Sequence, residues 1–86
     1  MKTTQMELDK GFYAVFFGTT VLYYSYGKLI GLQTRELMYV SENYWLGETM
    51  RHVALLRTNV SKTPTFEVAL DVLEERMAEE MRRTFQ

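Results

Sequence analysis

The sequence predicts an α+β domain: a four-stranded antiparallel meander over residues 12–42, then two helices over residues 48–58 and 64–84, the second long. Three observations carry this. Seventeen consecutive uncharged residues lie between Lys10 and Lys28 and hold seven of the chain's twelve aromatic rings. Two further short apolar runs follow at once. Beyond Thr63-Pro64 the apolar residues recur at helical spacing, not at the two-residue spacing of strands.

Residues 1–10 are polar and read as a flexible N-terminus, and the whole of 1–86 reads as one domain. Glu7 and Asp9, and the lack of a small-residue cleavage site, speak against a secretory leader. The uncharged run breaks at Gly18-Thr19-Thr20. On either side, Phe12 to Phe17 and Val21 to Tyr26 are rich in aromatic and β-branched residues, which makes the run a hairpin. As a membrane helix it would fall short of the usual length of about 20 residues. Its four tyrosines also sit inside the run, not as a belt at its ends. No membrane association is expected. Leu29 to Gln33 and Glu36 to Ser41 complete the meander.

A first helix is expected from Glu48 to Thr58, with Met50, Val53, Ala54 and Leu56 or Arg57 turned inward and a rough end at Asn59 and Ser61. For the second, Thr63 is the natural N-cap and Pro64 suits the first helical position, where its missing N–H costs nothing. Phe66, Ala69, Leu70, Leu73, Met77 and Met81 form its apolar stripe. Arg76 with Glu80 and Glu79 with Arg83 are spaced as i,i+4 ion pairs.

The hairpin does not alternate apolar with polar residues. Phe12, Ala14 and Phe16 oppose Tyr13, Val15 and Phe17, so both faces are apolar. Two helices are expected to cover one face, leaving the other face, or the hairpin's edge, to meet another protein chain. Tyr13, Tyr23, Tyr24 and Tyr26 are the candidate contact residues, with Met77, Met81 and Phe85 as a second patch. The expected partner is another protein, and self-association as a homodimer is compatible with it.

The formal charge is −1, unevenly spread: Glu67, Asp71, Glu74, Glu75, Glu79 and Glu80 face Arg76 alone between residues 66 and 80. That split excludes a generic binder of phosphate backbones. Glu74, Glu75, Glu79 and Glu80 offer one alternative, an acidic ridge that mimics nucleic acid. A second alternative is base stacking of a single strand on Tyr23, Tyr24 and Tyr26. Nucleic acid is not the favoured partner. There is no cysteine and one histidine, so neither a disulfide nor a metal site is expected, and no cofactor motif occurs. Ser25 or Thr49 could meet His52, but Thr49 reads more simply as a helix cap and His52 as a structural residue. No catalytic residue is assigned.

The stretch from about residue 21 to residue 57 resembles an uncharacterised family of small phage and mobile-element proteins. The family's pattern is Ser-Tyr, Thr-x-Ile/Val-Ala, an aromatic pair, then Ser-x-Thr-Thr-x-x-His opening a helix. Ser25-Tyr26, Ile30, Tyr44-Trp45, Thr49 and His52 match it, while Lys28, Gly31, Leu46 and Glu48 depart from it. The resemblance implies a sheet-plus-helix module in a viral or plasmid setting and offers no activity to carry over. The expected role is non-catalytic binding, as a small phage-type factor in the host cytoplasm that inhibits or modulates a host protein.

Overall fold

The computed structural model describes residues 3–42, 47–58 and 64–85. It is an α+β fold with one six-stranded sheet in the order β1 to β6 and two helices. The strands are β1 (Thr4–Asp9), β2 (Phe12–Phe17), β3 (Thr20–Ser25), β4 (Lys28–Gln33), β5 (Met38–Ser41) and β6 (Thr65–Val68). Helix α1 (Glu48–Arg57) lies between β5 and β6, and α2 (Leu70–Phe85) closes the chain.

The expected hairpin is present. Phe17 pairs with Thr20 across the two-residue turn Gly18-Thr19, where Gly18 has φ 56°. The meander through β5 is antiparallel throughout, with a bulge opposite Tyr23 and Tyr24. That bulge makes Ile30 the extra residue and breaks the alternation, so Ile30 and Leu32, two positions apart, serve opposite faces of the sheet.

Two strands were not expected. Residues 4–9, read as flexible, pair antiparallel with β2 from Thr4↔Phe16 to Asp9↔Phe12. Otherwise β2, one of the most apolar strands in the chain, would present its backbone edge to water. Residues 65–68, read as the first turn of the last helix, instead extend β5 in parallel from Met38↔Thr65 to Ser41↔Val68. β5 offers an open ladder, and Thr65, Phe66 and Val68 are good strand formers, so pairing outweighs helical spacing. Pro64 precedes this strand, its carbonyl accepting the Met38 N–H at 2.8 Å. The proposed cap Thr63 and the helix-end residues Asn59 and Ser61 lie outside the described residues.

The parallel step from β5 to β6 requires a crossover, and α1 is that crossover. It packs Val53 and Leu56 on Phe12, Ile30, Met38 and Val40. α2 packs Leu73 on Phe17, Leu22, Leu29 and Leu32. By strand alternation these clusters lie on opposite sides of the sheet. The expectation that both helices share one face is therefore corrected: each face carries a helix, which is why the hairpin is apolar on both sides. Of the residues expected inside α1, Val53 and Leu56 are buried, Met50 is half-buried and Ala54 is exposed. The helices leave bare the β1 end of the sheet, where Met6, Leu8 and Phe16 are exposed. No helix among the described residues is long and apolar enough to cross a membrane.

Candidate functional site

Four polar side chains from three elements meet beneath α1. Ser25 ends β3, and Thr49 and His52 stand one turn apart on the inner face of α1. Ser25 Oγ lies 3.0 Å from Thr49 Oγ1 and 2.7 Å from His52 Nδ1. Asp9, at the end of β1, brings Oδ2 to 3.7 Å from His52 Nε2, a buried nitrogen with no hydrogen-bond partner. The imidazole stacks on Phe12, with centroids 4.7 Å apart, and on Tyr26 at 5.9 Å.

Tyr26 is positioned by backbone geometry. It takes φ 49° in the β3–β4 turn and donates its N–H to the Gly11 carbonyl at 2.8 Å. A Cβ on Gly11 would fall 2.3 Å from the Tyr26 ring, so only glycine lets the ring lie there. The Lys10 backbone N–H, then Arg51, hold the Asp9 carboxyl below the usual carboxylate range. Arg51 reaches Asp9 and Glu48 at 2.6 Å each, and these two acceptors, Glu48 first, raise its own pKa.

Hydroxyl, imidazole and carboxylate occur here in the order of a catalytic triad. A nucleophile must also reach its substrate and face oxyanion donors. Ser25 and His52 are both 0% exposed, and the Ser25 oxygen already has two polar neighbours. What the arrangement does is pin α1 to the ends of β3 and β1. The reading of Thr49 as a helix cap is corrected: the N-cap is Gly47, with no side-chain cap bond, and Thr49 bonds to Ser25. Phe12, Asp9 and Arg51 complete the cluster without having been singled out in the sequence. Ser25, Tyr26, Thr49 and His52, which carry part of the family resemblance, meet here, whereas Tyr44 and Trp45 lie outside the described residues. Among the described residues no group of three His, Asp or Glu side chains is gathered as metal ligands would be.

The candidate contact residues are dispersed. Tyr13 is half-buried, its hydroxyl bonded to Glu7, which pushes its pKa up. Tyr23 lies on the α1 side, its hydroxyl donating to Gln33 Oε1 at 2.8 Å. Tyr24 lies on the α2 side against Met77, its hydroxyl 3.5 Å from the sulfur. Burial raises the pKa of both phenols. Tyr24, Met77 and Glu74 line one hollow of about 300 Å³, with Lys28 also on its wall. Tyr26 and Met81 are exposed, and the Phe85 side chain is not among those described.

The acidic residues of α2 divide. Glu74 and Glu75 are exposed. Glu79 pairs with Arg76 at 3.2 Å, and Glu80 with Arg83 at 3.1 Å, at i,i+3 and not at the expected i,i+4 spacing. Glu80 Oε2 also accepts from the Thr20 hydroxyl at 3.4 Å.

A different surface stands out in the fold. Every residue of β1 before Asp9 is exposed, and its outer edge has no neighbouring strand among the described residues. Met6 and Leu8 are 48% and 43% exposed, and Phe16 beside them is 36% exposed. The alternation Gln5-Met6-Glu7-Leu8-Asp9 is a strand signal that the polar character of the N-terminus obscured. No family model, curated protein or solved structure matches this chain.

Proposed function

We propose that the protein is a small non-catalytic binding module that engages another protein by strand addition along β1, and that it belongs to a phage or mobile element and modulates a protein of the host cytoplasm. The observation that supports this most is the open β1 edge. An edge strand presents unpaired backbone donors and acceptors, and an incoming strand satisfies them while its side chains meet Met6, Leu8 and Phe16. Natural edges are usually blunted by bulges and charge. Here the bulge between Glu7 and Asp9 is confined to one end, leaving Thr4 to Glu7 in regular register. A second copy of the chain could occupy the same edge, which makes a homodimer the second form of this reading.

The nucleic-acid readings draw less support. Tyr23 and Tyr24 pack under opposite helices, so they do not form one stacking platform. Two of the four ridge glutamates are engaged by arginines.

The test replaces Met6 and Leu8 together by lysine. Affinity capture from the producing cell, with sedimentation of the purified protein at micromolar concentration, should show a stoichiometric protein partner or a dimer that the double variant loses. The reading fails if wild type is monomeric and captures nothing, or if the variant retains the same complex.

A further inference from the structure

On the α2 side, at the end of the sheet carrying the Gly18-Thr19 turn, a cavity of about 280 Å³ is walled by Thr19, Thr34, Arg35, Glu36, Arg76, Glu80 and Arg83, with Leu32, Leu37 and Tyr39 also in contact with it. Three arginines are among its lining residues, Arg35 from the β4–β5 loop and Arg76 and Arg83 from α2. Each carries about five N–H donors. The ion pairs of Arg76 with Glu79 and of Arg83 with Glu80 each engage one terminal nitrogen, so most of these donors remain. Arg35 has no ion pair among the described residues.

The backbone of the loop that carries Arg35 is held by Thr34. Thr34 Oγ1 accepts the N–H groups of Glu36 at 3.3 Å and Leu37 at 3.2 Å, while the Thr34 N–H donates to the Leu37 carbonyl at 2.9 Å. That closes the loop tightly around Arg35. Arg76 Cζ lies 5.7 Å from the Tyr39 ring centroid, within cation–π reach of its face. Glu80 is bonded on both oxygens, by Arg83 and by Thr20. The charges of Glu80 and Arg83 offset each other, as do those of Glu79 and Arg76, which leaves Arg35 as the unpaired cation of the wall among the described residues. Glu36 has no ion pair among the described residues and remains an acceptor on the wall.

We infer that this pocket binds a small organic phosphate. A planar carboxylate is satisfied by one bidentate arginine, whereas a phosphate has three terminal oxygens that can accept from guanidinium groups and threonine hydroxyls on several sides. Leu32, Leu37 and Tyr39 supply apolar contact for the ligand's body, and Glu36 accepts from its hydroxyls. The volume lies near the lower limit for ligand pockets, about 300 Å³, which suits a single sugar-phosphate or mononucleotide and not a polymer.

The experiment is a calorimetric titration of the purified full chain with adenosine monophosphate, inorganic phosphate and, as the carboxylate control, acetate. The expected result is saturable one-site binding of both phosphate probes, each competing with the other, and none of acetate. Arg35→Gln should weaken binding about tenfold or more, with unchanged circular dichroism, since it removes charge-assisted bonds to the anion. Arg82→Gln, which lies outside the pocket wall, should bind as wild type does. Three results would overturn the inference: no saturable binding of either phosphate probe, acetate binding as tightly as phosphate, or undiminished binding by Arg35→Gln.

Discussion

Ser25 has no contact with water, so its hydroxyl is committed to Thr49 and His52. Replacing it with alanine leaves the His52 Nδ1 and Thr49 hydroxyl without that partner, and a buried polar group left unsatisfied costs about 1–3 kcal/mol. Ser25→Ala should lower folding stability by that order in urea denaturation, and the loss should be smaller when His52 is already alanine, because the two belong to one network. Asp9 acts at the rim of the same cluster. Its folded-state pKa is depressed, so the stability it contributes is present at neutral pH and lost as pH falls through that depressed value. Asp9→Asn should therefore lower the thermal midpoint relative to wild type at pH 7, and the gap should shrink towards about pH 3, below the ordinary carboxylate value. An unchanging gap would mean that Asp9 matters through packing and not through charge.

At the scale of elements, α2 is the cover for one face, with Leu73 at 0% exposure as its anchor. Leu73→Ala should cost about 2–5 kcal/mol, measured by denaturant midpoint, as is usual for emptying a core position. β2 to β5 and both helices were legible in the sequence, because aromatic runs broken by glycine and helical spacing are local signals. The two added strands were not. β1 alternates only weakly among polar residues, and β6 resembles a first helical turn until β5 is there to pair with it. The Ser25, Thr49 and His52 meeting was a possibility the sequence raised. Its union with Asp9 depends on β1 and lay beyond local reading. The same missing strand hid Met6 and Leu8 as the exposed apolar pair, because their exposure follows from their place on an edge.

For the whole molecule, a helix on each face makes the β1 edge, and not a face of the sheet, the surface where the proposed partner strand would add. The core is closed at the centre, while backbone bonding capacity and large apolar side chains remain available at one side. Under that proposal both helices stay in place, so a partner would not need to unfold any part of the protein to dock. Hydrogen exchange measured on the isolated complex, or on the dimer, tests this most directly. The account predicts that the outward-pointing amides among Thr4 to Glu7, those not directed at β2, become strongly protected on association while those of α2 do not change. Association that leaves β1 exchange at its free rate, with protection elsewhere, would contradict it.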